Sequence, residues 1–153
     1  MHKLYDQHSL EIMAFAEEAY VRGSNRLEEI RNYARKAGLK RIGIAHCVSM
    51  PQEAASVNLF LSKEFEVFSV DCKCGRITKQ ELLGGEGQSI MCNPSGQAEY
   101  LKEHDTQLNI SMGLCVGHDM LFTRKSEVEV TTLVVKDRVN HHNPIEGIRS
   151  LQK

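Results

Sequence analysis

Five cysteines, Cys47, Cys72, Cys74, Cys92 and Cys115, and the stretch GLCVGHD over residues 113–119 carry the most reactive side chains of the sequence. An odd count without disulfide-framework spacing marks free thiols, metal ligands or redox groups in a reducing compartment. Cys47, Cys72, Cys92 and Cys115 can supply four thiolates, with His118 or His46 as an imidazole substitute. Such donor sets suit zinc or an iron–sulfur cluster. No pair has C-x-x-C spacing, so the ligands would have to gather from separate parts of the chain.

A second chemistry is nucleophilic. Cys115, His118 and Asp119 place a thiol, a base and a carboxylate in one short segment, a candidate catalytic set. A cation such as Arg138 or Lys136 would lower the thiol pKa and hold an anionic substrate. A third is anion or cofactor binding. Asn93-Pro94 opens a helix whose terminus is ready for an anion, with Lys136 and Arg138 as further candidates. Cys92 stands just before that terminus, where unpaired N–H groups favour a thiolate. Plain alternatives stand beside each reading. A free cysteine is often a small buried hydrophobe, and a loop His or Asp often caps its own backbone. The Gly-rich GGEGQS matches neither phosphate-binding glycine pattern and reads as a surface loop. His141 and His142 are adjacent, so in extended chain they point apart; one could reach a site and the other is solvated.

The elements that must position these groups follow from pattern. Residues 9–22 read as a helix capped by Ser9 and ended by Gly23. Asn25 and Glu28 form a capping box for a second helix stopped by Gly38. RIGIAHC (41–47) reads as a buried strand. Ser49 and Gln52 cap the next helix, with Pro51 in its first turn. FEVFSVD (65–71) is a second strand, and a long loop covers 73–92. A helix starts at Asn93-Pro94, strands follow at 108–114 and 128–136, and NPIEGIRSL closes the chain with a short helix. TRKSEVE reads as an exposed turn. Alternating strands and helices predict one α/β domain over residues 1–153. Its mainly parallel sheet of four to five strands is flanked by helices in a Rossmann-like three-layer arrangement. Ligands of such sheets bind beyond the carboxyl ends of the strands. His46 and Cys47, Asp71 with Cys72 and Cys74, Cys115 with His118 and Asp119, and Lys136 with Asp137 and Arg138 all fall there.

Composition narrows the partners. Of 153 residues, 41% are hydrophobic and 25% charged, and 19 basic against 20 acidic residues give a net charge of −1. That balance lacks the basic footprint of a nucleic-acid binder, and aromatics at 6% with no Trp make no stacking platform. The first 20 residues do not read as a signal peptide, and no apolar run reaches membrane-spanning length. The expectation is a cytoplasmic protein whose partner is a small molecule or metal ion, with a homo-oligomer left open.

CNPSGQAEYL, LNISMGLCVGHDMLF and VTTLVVKDRVNHHNP, with IGIAHC upstream, together resemble the domain of unknown function 1847 family over about residues 25–150. The matching positions are Cys47, Cys72, Lys73, Gly75, Cys92, Asn93, Pro94, Gly113, Cys115, Gly117, His118, Asp119, Lys136, Asp137, Arg138, Asn143 and Pro144. Asp71 and Cys74 depart from the pattern. The resemblance implies no reaction. It brings a metal-binding label that leans on a cysteine-rich amino-terminal segment, and here no cysteine precedes Cys47.

Overall fold

The structure is a computed structural model that describes residues 4–151. The chain divides into two compact units, residues 1–40 and 41–153.

The first unit is a helix pair. Helix α1 (Gln7–Ala19) is capped by Asp6, whose carboxylate accepts the Ser9 N–H at 2.8 Å. Ser9 was the expected cap; its amide is instead the group that needs one, and an anion serves the positive helix end better than a hydroxyl. Helix α2 (Arg26–Lys36) carries the expected Asn25–Glu28 capping box. It ends where Gly38 takes φ +68°, with the Leu39 N–H returning to the Ala34 carbonyl at 2.9 Å. Phe15 and Tyr33 meet edge to face at 6.3 Å.

The second unit holds four strands: β1 (Arg41–His46), β2 (Glu66–Asp71), β3 (Leu108–Met112) and β4 (Val130–Val134). They form one sheet, all parallel, in the order β2-β1-β3-β4. Helix α3 (Pro51–Leu61) joins β1 to β2, α5 (Pro94–Glu103) joins β2 to β3, and α6 (Val116–Lys125) joins β3 to β4. Short helices α4 (Lys79–Leu83) and α7 (Pro144–Ser150) complete the unit. The chain leaves β1 in one direction and returns across it to reach β3. Right-handed crossovers then put α3 on one face and α5 with α6 on the other, a helix–sheet–helix sandwich.

The central strands are buried along their length because both faces are covered, and they take the polar His46, Asn109 and Ser111 inside with them. Every residue of β3 is buried, as are Ile42 to His46 of β1. On the α5/α6 face, Ala45, Val70, Ala98, Leu101, Leu114 and Phe122 pack with Cys47, Met50 and Cys72. Gly43 makes this possible, since a Cβ there would lie 2.8 Å from a Leu101 methyl. Among the described residues no helix is long and apolar enough to cross a membrane.

Further local expectations change. Helix α1 ends at Ala19, short of Gly23, and β3 ends at Met112 rather than at 114. The segment after Cys115 is the helix α6, not a loop, and it takes in Thr123–Lys125 of the expected turn. The last strand spans 130–134 rather than 128–136. The 73–92 loop contains α4, started by a Thr78–Glu81 capping box. Helix α3 starts at Pro51 with Met50 as an N-cap that makes no side-chain bond, and the Ser49 hydroxyl is engaged by Cys47 and Lys136.

Candidate functional site

The carboxyl ends of the four strands present the thiols and cations together with the first turns of α5 and α6. Cys47 extends β1 by one residue, its N–H bonded to the Met112 carbonyl at 2.9 Å. Its Sγ receives the Ser49 hydroxyl at 3.2 Å and the Lys136 ammonium at 3.2 Å. Lys136 also donates to the Ser49 oxygen at 2.9 Å. Burial pushes this thiol's pKa up. The Ser49 hydroxyl and backbone N–H, with the Lys136 charge, outweigh that push and bring it below the ordinary thiol value.

Cys72, just past β2, is 2% exposed. Its Sγ accepts the Val48 N–H at 3.3 Å and lies 3.6 Å from the Cys92 Sγ. Burial, only partly countered by the Val48 N–H, and then the neighbouring thiols hold it protonated, with its pKa pushed up to about 12. Cys74 is held up by burial and by the Asp71 charge, and its thiol meets the Asn93 carbonyl at 3.6 Å.

Asn93 caps α5 through its Oδ1, which accepts the Gly96 N–H at 2.9 Å. Its Nδ2 donates to the Cys74 carbonyl at 3.3 Å. Both ends of the amide are thus occupied by backbone. Cys115 is the N-cap residue of α6, and Arg138 donates to its Sγ at 3.0 Å. His118 and Asp119 lie in the first turn of α6, where their N–H groups close on the Cys115 carbonyl at 2.8 and 2.9 Å. Among the described residues neither of their side chains makes a hydrogen bond.

Beyond β4, Asp137 folds its own loop by accepting from the Asn140 side chain and the Asn140 and Val139 amides. These bonds, the Asn140 side chain first, hold its carboxyl below the usual range. His142 turns back to the Asp137 N–H at 3.2 Å, while His141 is exposed. His46 parts from the thiols. Strand alternation sends it to the α3 face, where it lines a cleft of about 420 Å³ with Ala54, Asn58 and Ser69.

The thiols therefore fall into three groups: Cys47 with Lys136, Cys115 with Arg138, and the Cys72–Cys92 pair with Cys74 nearby. Among the described residues no three His, Cys, Asp or Glu side chains are placed to hold a metal ion. Zinc and iron–sulfur clusters take three or four protein donors, and two thiols at contact distance fall short of that set. Two participants carried no signal in the sequence. Ser49 looked like a helix cap. Gln97, fully buried on α5, donates its Nε2 to the carbonyls of His46 at 3.2 Å and Val70 at 3.0 Å.

Uncharacterized protein MJ0455 of Methanocaldococcus jannaschii is 46% identical over 142 residues, spanning 90% of this chain and 74% of that protein. No solved structure matches the chain. The family match runs over residues 2–133, so it starts earlier than the resemblance read from motifs and stops before Lys136 and Arg138. The chain belongs to the family described as "Protein of unknown function (DUF1847)".

Proposed function

We propose that the protein is thiol-dependent, with Cys47 as a nucleophile toward a small anionic electrophile whose charge is met by Lys136. The observation that carries this reading is the Lys136 ammonium 3.2 Å from the Cys47 sulfur, with Ser49 bonded to both. A thiolate, not a thiol, is the attacking species, and a cation with a hydroxyl donor stabilises that form. Among the described residues no other thiol has both. Cys115 supports a second reading because Arg138 lies 3.0 Å from its sulfur. The zinc or iron–sulfur reading has the Cys72–Cys92 contact in its favour but, among the described residues, no third donor beside it.

Timed alkylation of the reduced protein at neutral pH, read by peptide mass spectrometry, separates the three. Cys47 is 9% exposed, so the reagents must be small: iodoacetamide and its anionic analogue iodoacetate. The expected result is that Cys47 is modified first, with iodoacetate favoured relative to its rate on a free thiol. Cys115 modified first transfers the role to the Arg138 pair. Equal slow labelling of all five thiols sinks the nucleophile reading. Stoichiometric zinc, or a broad band near 400 nm after anaerobic purification, replaces it with a metal centre.

A further inference from the structure

We infer that Cys72 and Cys92 are a redox-active dithiol, closed to a disulfide by small disulfides, and that the Val48 amide passes this change to Cys47. The first half stands on its own atoms; only the coupling rests on the Cys47 reading above.

The two sulfurs are 3.6 Å apart, although twenty positions separate the residues. Their chain segments are already fastened without a covalent link. The Asn93 N–H bonds to the Cys72 carbonyl at 2.8 Å, the Asn93 side chain to the Cys74 carbonyl at 3.3 Å, and the Lys73 ammonium to the Ile90 carbonyl at 2.6 Å. A disulfide needs sulfurs about 2.05 Å apart, so each thiol has to move by less than an ångström on a backbone that is held in place. A disulfide between segments already fastened together can form and break as conditions change.

Exposure sets the order of events. Cys92 is half-buried and Cys72 nearly closed off. A small disulfide RSSR therefore meets Cys92 first. The Cys92 thiolate attacks one sulfur, the RS–SR bond breaks, and RS⁻ leaves, giving Cys92–S–S–R. The departing RS⁻ takes the Cys72 proton to become RSH, and the Cys72 sulfur attacks the Cys92 sulfur and expels the second RS⁻, which is protonated by solvent. The sum is two protein thiols and RSSR going to a Cys72–Cys92 disulfide and two RSH. The protein loses two electrons and the small disulfide gains them. Excess thiol runs the sequence backwards.

The same sulfur has a second task. Cys72 Sγ accepts the N–H of Val48, the residue between Cys47 and Ser49. Drawing that sulfur toward Cys92 weakens the bond that pins the 47–49 turn. Ser49 then no longer holds its place between the Cys47 sulfur and Lys136, and the thiolate is less well stabilised.

The test treats the full reduced chain with bis(2-hydroxyethyl) disulfide, blocks remaining thiols, digests without reductant and reads the peptides by mass. A linked Cys72–Cys92 peptide, with the adduct trapped on Cys92 in Cys72→Ser and no link in Cys92→Ser, is expected. Unchanged thiols, a link to another cysteine, or an adduct that persists on Cys92 in the native sequence overturns the dithiol. The oxidised and reduced proteins are then compared for iodoacetamide labelling of Cys47, which should slow severalfold on oxidation. An unchanged rate overturns the coupling alone. A Cys47 that labels in neither form, in protein that does make the link, sinks the coupling and the Cys47 reading together and leaves the dithiol standing.

Discussion

Lys136 and Cys47 lie 89 positions apart in the chain, yet the ammonium is 3.2 Å from the sulfur. Their strands are not neighbours, because β3 runs between β1 and β4. The contact therefore has to pass the end of β3, where Gly113 takes φ +64° and has no side chain. The Met50 sulfur and the Cys47 Cβ occupy the space beside it.

Removing the charge should shift the chemistry. In Lys136→Met the upward push of burial on Cys47 is left opposed only by Ser49. The pH midpoint of Cys47 alkylation is expected to rise, and the rate at neutral pH to fall by about tenfold, the equivalent of one pKa unit. Ser49→Ala should move the midpoint the same way. Stability follows the same linkage: a depressed folded pKa adds stability that is fully present above the unfolded thiol's 9.0 and is lost as pH falls through the folded value. Urea titrations of the native and Lys136→Met proteins on both sides of pH 9 measure the difference.

Gly113→Ala tests the passage past β3. A Cβ at positive φ is strained, and here it would also run into the Met50 sulfur. A loss of about 1–3 kcal/mol is expected. In a double-mutant cycle with Met50→Ala, part of that loss should disappear, because the collision is with that side chain. Fully additive losses would place the cost in the backbone alone.

Asn93→Ala should cost about 1 kcal/mol for the α5 cap. It also frees the Cys74 carbonyl that holds the 73–92 loop to the helix start. Chemical denaturation reads the first effect. Faster proteolysis within residues 79–90 reads the second.

Arg138→Gln separates chemistry from stability. The guanidinium is exposed, and its contact with Cys115 lies at the surface. The denaturation midpoint should hold, with stability within about 0.5 kcal/mol. Labelling of Cys115 by iodoacetate should fall more than labelling by iodoacetamide, since only the anion uses the lost charge.

What the sequence revealed was local or periodic. The Asn25–Glu28 box, the Asn93-Pro94 helix start and the alternation of strands with helices all rest on near neighbours in the chain, and each stands in the structure. Helix α6 was hidden because Val116 and Met120 face outward and only Phe122 is buried, too thin an apolar stripe to mark a helical period. Ser49 was misread for a different reason: the cation that takes its hydroxyl comes from 87 positions away. Lys136 and Arg138 were expected as the cations of one thiol, Cys115. They are divided between two, because Lys136 reaches back over β3 to Cys47 while Arg138 stays with Cys115. Spacing alone brought Cys115, His118 and Asp119 together; a helical first turn engages the backbone of the last two and leaves their side chains without hydrogen bonds.

Gln97 has one more consequence. Its amide grips carbonyls on two different strands, His46 of β1 and Val70 of β2. Apolar packing alone tolerates small sliding of one strand past another, since methyl groups have no preferred partner. An amide with fixed geometry resists it: a slip would lengthen or bend one of its two bonds inside a site closed to water. The two strand ends that deliver Cys47 and Cys72 are thus set to a common gauge. To the backbone ladder that pairs β1 with β2 as far as His46 and Asp71, the Gln97 amide adds a side-chain gauge at the strand ends that the oiliness of the core does not supply.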